Sequence, residues 1–230
     1  MNRTGSIRLS VVFEAVAIIC VAIVGYTQYN SRLTSERTAA CANRLEQIGL
    51  SITQYAQDYD ETLPCAWYGR NPGASNALNY KWMDAIYPYA YNVPFACPSD
   101  KISKPYKNPP AGTNYGSYVM NNAYYAQGDK CTPPAGQPLS KIEDTSTILA
   151  MDGENDFQFA WSDPTHAPSL AARNGLRLES IVARHKGTPY MIPMTLWVDG
   201  SVHGNSLQSV AAEKVIHGQG IYTGFTIERD

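Results

Sequence analysis

The sequence predicts an α+β fold: one long N-terminal helix packed on a small antiparallel sheet with loop-rich insertions. Three observations lead there. Residues 10 to 26 read SVVFEAVAIICVAIVGY, an apolar run broken only by Ser10, Glu14 and Gly25. Behind it, Cys41, Leu45, Ile48, Ile52, Tyr55 and Tyr59 recur at alternating spacings of four and three, one stripe on a helical face. After Pro64, the first proline in the chain, the helical period gives way to short apolar runs between Pro, Gly and Asn-rich stretches.

The apolar run from Leu9 to Tyr26 comes close to the roughly 20 residues that a helix needs to cross the hydrocarbon core. Arg3 and Arg8 precede it, which argues for a cytoplasmic N-terminus and an outward-facing remainder. A secretory signal peptide would start in the same way, but no small-x-small site followed by a turn comes after Tyr26. The chain instead continues as good helix-forming sequence up to Pro64. One helix of about 50 residues, roughly 75 Å long, therefore changes character halfway, from apolar all round to amphipathic. Arg44, Gln47, Ser51, Gln54 and Asp58 lie off the amphipathic stripe. The division expected is a basic leader-like segment (1–9), an apolar helix half (10–30), an amphipathic helix half (31–62) and a globular head (63–230).

In the head, a short helix is expected over Lys81 to Tyr89, where Trp82, Ile86 and Tyr89 repeat at four and three. Strands are expected at Ser117 to Asn121, Thr147 to Met151, Met191 to Val198 and Ser201 to His203. The last two flank Asp199-Gly200, a hairpin signal for a type I′ turn.

Composition narrows the function. Lys plus Arg number 18 against 20 Asp plus Glu in 230 residues, with no basic stripe, so nucleic acid is not an expected partner. The 16 Tyr, many between residues 65 and 137, suit a loop-rich, extracellular or surface-packed domain. Outside the cytoplasm, Cys41, Cys65, Cys97 and Cys131 could pair as disulfides, with three connectivities open, or stand as free buried thiols. His166, His203 and His217 are scattered, and neither a zinc spacing nor a nucleophile elbow occurs. No enzymatic activity is expected.

The chain resembles type IV pilins and type II secretion pseudopilins. More closely, it is similar to bacterial prepilin-type proteins that carry a histidine followed by an Asp-Gly pair near the C-terminus. The residues that carry the likeness are Glu14 in the apolar run, ACANRLEQIGLSITQYAQDYDETLP (40 to 64), CPSD (97 to 100), YGSYVMNN (115 to 122), TILAMDGEND (147 to 156) and ARHKG…LWVDGSVH (183 to 203).

The resemblance implies a pilin-like fold and a structural subunit of an extracellular helical filament. It implies identical subunits, a prepilin peptidase, an inner-membrane platform and an assembly ATPase as partners. The precursor would sit in the inner membrane and the product at the cell surface. Glu14 would pair with the N-terminal amine of a neighbouring subunit, with Ser10 as the first mature residue and Phe13, Val16, Ile19 and Ile23 on the assembly helix. A lone carboxylate in hydrocarbon costs on the order of 3 kcal/mol, which a partner ammonium would offset; alternatively Glu14, close to the apolar edge, reaches the headgroups. The leader of such proteins ends in Gly, whereas Leu9 precedes Ser10 here and the nearest Gly is Gly5.

The family motif falls on His185, Asp199 and Gly200, with a longer excursion between them, Lys186 to Val198, than the family pattern has. Asp199-Gly200 is expected as a turn and His185 as a hydrogen-bonding residue near it. Asp152, Glu154 and Asp156 could form a calcium site, as in some pseudopilins, or a solvated acidic turn; no other cofactor is expected. Two other roles stay open: a low-copy pseudopilin of a secretion system, or a monomeric membrane-tethered domain that binds a ligand or uses His185, Asp199 and the acids for chemistry.

Overall fold

The computed structural model describes residues 9–68, 80–106, 109, 114–122, 132–143, 145–154, 156–159, 177–178, 181–186, 191–204, 213–216, 219–222 and 227. Helix α1 runs unbroken over Leu9–Asp58. With no proline to remove a ladder donor, its 50 residues cover about 75 Å.

The two halves of α1 live in different surroundings. Along the front, Val11, Val12, Phe13, Val16, Ile18, Ile19, Val21, Ile23 and Val24 are all exposed. This part is long and apolar enough to cross a membrane, and none of its most apolar window is buried. Along the back, Cys41, Leu45, Ile48, Ile52 and Tyr55 are buried, as their spacing predicts. Tyr59 is not: the helix ends at Asp58, and Tyr59 is exposed and stacks on Tyr55 with ring centroids 4.2 Å apart. A left-handed reversal causes this end. Asp60 and Glu61 have φ of 51° and 54°, and the Glu61 amide reaches back to the Ala56 carbonyl, the 6→1 bond of a Schellman end.

A second correction concerns the polar flank. Ser51 is buried, donating to the Gln47 carbonyl, and the Arg44 guanidinium donates to the Ala96 carbonyl. The stripe facing the head is thus wider than the apolar residues alone suggest.

Helix α2 covers Trp82–Ile86, shorter than expected because Pro88 has no amide to extend it. It is anchored by Trp82, whose indole donates to the Phe157 carbonyl and meets Phe95 edge to face. The head then gives β1 (Tyr118–Asn121), a 3₁₀ turn (Leu139–Lys141), β2 (Ile148–Asp152), β3 (Gln158–Phe159), β4 (Arg177–Leu178), β5 (Ile181–Val182), β6 (His185–Lys186), β7 (Met191–Ile192), β8 (Met194–Trp197), β9 (Val202–Gly204), β10 (Glu213–Ile216) and β11 (Gln219–Tyr222).

Five strands form the main sheet in the order β3-β1-β2-β8-β9. The plan is α+β, but the sheet is mixed rather than antiparallel, because β3 runs parallel to β1 at its edge. The single strand expected over Met191 to Val198 is split at Pro193: β7 pairs with β6, and β8 enters the main sheet. Pairing of Tyr118 with Asp152 and of Met120 with Ala150 fixes one face. That face, with Leu196 added from β8, receives α1. Gly49 lets helix and sheet approach closely, since a Cβ there would lie 2.9 Å from Leu196 Cδ1.

Candidate functional site

Four buried side chains from distant parts of the chain meet between α1 and the sheet. Cys41 comes from the back half of α1, Cys97 from the turn after α2, Asp152 from the end of β2 and His185 from the start of β6. Their ligand atoms all lie within 4.8 Å of one another. Strand geometry turns Asp152 towards the helix: period two puts it on the same face as Ala150, with Tyr118 as its cross-strand partner. Cys97 is aimed by a tight turn in which the Asp100 amide donates to the Cys97 carbonyl.

His185 Nε2 lies 3.0 Å from Asp152 Oδ2 and 3.5 Å from Cys97 Sγ. Cys41 Sγ lies 3.5 Å from Asp152 Oδ1 and 3.2 Å from the Tyr118 hydroxyl. The Met194 amide donates to Asp152 Oδ2 at 2.7 Å. Around this core, Arg184 sits 2.6 Å from Asp100 Oδ2 and 3.8 Å from Asp152 Oδ1, and it also donates to the Gly153 carbonyl.

Proton bookkeeping fixes the imidazole. The Thr38 hydroxyl donates to the Thr34 carbonyl, so towards His185 Nδ1, 3.2 Å away, it acts as acceptor. Nδ1 therefore carries a proton, and Nε2 points at a carboxylate oxygen. Two acceptors at 3.0 Å repel unless a cation lies between them or Nε2 is protonated. Burial disfavours the charged imidazole, but hydrogen bonds to Asp152 and Cys97 outweigh it and carry the His185 pKa up to about 9. The hydrogen bond from Cys41 outweighs burial at Cys97, and with His185 it brings that thiol down to about 6. Cys41 moves the other way, raised by burial and then by the neighbouring Cys97 and Asp152. His185 Nε2 thus lies between the Cys97 sulfur and the Asp152 carboxyl group.

The residues singled out in the sequence fare differently. Asp199 is not beside His185. It sits in the exposed β8–β9 turn, where its Oδ1 accepts from the Ser201 amide at 2.8 Å and the Ser201 hydroxyl at 2.6 Å. That turn is not type I′: Gly200, at φ 85°, has positive φ and Asp199 does not. Its amide donates to the Trp197 carbonyl, and the Trp197 amide to that of Ser201, closing a three-residue loop with a glycine bulge.

The three acids proposed for calcium do not converge. Asp152 is fully buried with His185, while Asp156 Oδ1 accepts from the Phe157 amide; the metal-capable group among the described residues includes neither Glu154 nor Asp156. Cys41 and Cys97 are free buried thiols, Cys65 is a free exposed one, and Cys131 lies outside the described residues. Glu14, Phe13, Val16, Ile19 and Ile23 lie on the exposed front of α1, and Ser10 opens its first turn, its side chain outside the described set.

Sequence reasoning missed the convergence of Cys41, Cys97 and Asp152 on His185, and the parts of Thr38 and Arg184. Ligand spacing carries no signal when each donor comes from a different element. The usable signal was that each of the four lies in a stretch already singled out.

A family model described as protein of unknown function (DUF1559), a family typical of prepilin-like bacterial proteins, matches residues 35–90. The match takes in the back half of α1 and all of α2. No curated protein and no solved structure matches the chain.

Proposed function

We propose that this chain is a structural subunit of a type IV pilus-like filament, held in the inner membrane as a precursor and assembled outside the cell through the front half of α1. One observation carries the reading: a continuous helix whose front is apolar and exposed all round, and whose back is sealed into a head domain. A soluble monomer with that much exposed apolar surface would aggregate. Lipid satisfies the front half before assembly, and other copies of the same helix satisfy it afterwards. Each subunit repeats a contact that does not close on itself, which generates a filament.

In this reading Glu14 pairs with the N-terminal amine of the neighbouring subunit and sets register, while Phe13, Val16, Ile19 and Ile23 pack between helices. Exposed tyrosines of the head, Tyr91 and Tyr80 among them, add contact area between subunits at low entropic cost. The partners are identical copies, a prepilin peptidase, an inner-membrane platform and an assembly ATPase.

The test is the intact mass and N-terminal peptide of the protein in material sheared from the cell surface. A major subunit dominates that fraction and begins at Ser10, which puts Glu14 where the register role needs it, or at Ser6, after Gly5. A trace amount there favours a low-copy pseudopilin of a secretion system. Absence from it, with the protein left in membranes, rejects the filament role in favour of a tethered monomer.

A further inference from the structure

We propose that Cys41, Cys97, Asp152 and His185 bind one zinc ion in a closed structural site that fastens the back half of α1 to the sheet. The donor chemistry is the first argument. Two sulfurs, an imidazole nitrogen and a carboxylate oxygen suit zinc or another borderline divalent metal, and they do not suit calcium or magnesium, which take oxygen ligands.

The second argument is geometric. Around a tetrahedral zinc, with Zn–S near 2.3 Å and Zn–N or Zn–O near 2.0–2.1 Å, neighbouring donors are about 3.3–3.8 Å apart. Here His185 Nε2 is 3.5 Å from Cys97 Sγ; the Asp152 carboxylate approaches Cys41 Sγ at 3.5 Å through Oδ1 and His185 Nε2 at 3.0 Å, below that range, through Oδ2; and one ligand atom from each of the four residues lies within 4.8 Å of the others. All four side chains are at most 2 % exposed, so no coordination position opens to solvent, as in structural rather than catalytic sites.

The surroundings supply the third. The Thr38 hydroxyl accepts from Nδ1–H, as the second partner of a ligating histidine does, so Nε2 is the nitrogen that faces the other donors. Met194 and Tyr118 hold the carboxylate and the Cys41 sulfur. Two thiolates and a carboxylate exceed the charge of a divalent ion by one; Arg184, 3.8 Å from Asp152 and shared with Asp100 at 2.6 Å, is the neighbouring cation. Zinc entry displaces the protons held among the two thiols and Nε2 to solvent.

Because the ligands come from α1, the turn after α2, β2 and β6, the ion would hold four elements at one point. The inference stands apart from the filament reading, since metal content is measured on the isolated chain. The experiment takes the full chain in detergent, purified without chelator, and measures zinc by elemental analysis. It then strips the metal under reducing conditions and titrates with cobalt(II) alone. The expected result is about one zinc per chain and uptake of one cobalt, with a thiolate-to-cobalt charge-transfer band and the strong visible absorption of a tetrahedral centre. Cys97→Ser should abolish the charge-transfer contribution of one sulfur, and Thr38→Val, which keeps all four donors, should weaken zinc binding about tenfold. Substoichiometric zinc together with no cobalt spectrum overturns the proposal, even if the cysteine variants fail to fold. So does a native chain lighter by two hydrogens, with Cys41 and Cys97 joined in one disulfide-linked peptide.

Discussion

Asp152 Oδ2 lies 3.0 Å from His185 Nε2, with both side chains fully buried, although the two residues come from separate strands of different sheets. The carboxylate faces His185 on one side and Arg184 on the other. Removing its charge breaks the buried pair with His185 from one side, while Arg184 keeps Asp100 as its nearer partner.

Asp152→Asn should therefore destabilise the metal-free chain by about 3–5 kcal/mol, the usual cost of breaking a buried pair from one side. The Met194 amide bond survives on the asparagine oxygen, so the loss reports charge rather than shape. Urea unfolding of the head, followed by far-UV circular dichroism, measures it. A change below about 1 kcal/mol would mean that the cluster does not depend on that charge.

Gly153→Ala tests the packing of the sheet's second face. A Cβ there would fall 2.2 Å from Val119 Cγ1, too close for any rotation to relieve fully. The expected cost is about 1–3 kcal/mol from overpacking, and Val119→Ala in the same chain should recover only part of it, since the Val119 Cβ itself would lie 2.8 Å away. Thermal unfolding of the single and double variants reads the coupling.

Gly200→Ala separates backbone strain from sterics. Nothing lies within 4 Å of a Cβ at this position, yet its φ is 85°. The loss should be about 1 kcal/mol, from the left-handed conformation alone, and Gly200→Asn should lose less. Equal losses for both would show that φ is not the cause.

Acid stability should depend on Asp100. Burial raises its pKa, but the Ser103 hydroxyl, the Ile102 and Ser103 amides and Arg184 outweigh it and hold the carboxyl below its usual value. A depressed carboxyl contributes stability that is present above the unfolded pKa and lost as pH falls through the folded one. Stability of the wild-type chain should thus drop more steeply below about pH 4 than that of Asp100→Asn. Denaturant midpoints at pH 7, 4 and 3 compare the two, and parallel curves would remove Asp100 from the account.

Much of the architecture was legible in the order of residues. The apolar run, the stripe from Cys41 to Tyr55 and the strands around Tyr118, Ile148 and Leu196 follow from local periodicity, because helix and strand repeats place every third or fourth, or every second, residue on a common face. Boundaries were less legible. Tyr59 continues the stripe in spacing, but the chain reverses at Asp60, and Pro193 divides what reads as one strand.

The site lay beyond sequence reasoning for a different reason. By itself the sequence determined an exposed, membrane-length helix joined to a packed head, since both depend on neighbours within a few residues. Only the tertiary structure decided that His185 meets Asp152 rather than Asp199, and that Cys41 and Cys97 complete the group. Those contacts span 33 to 144 positions along the chain, and they depend on strand register and on how α1 crosses the sheet. No local repeat encodes them.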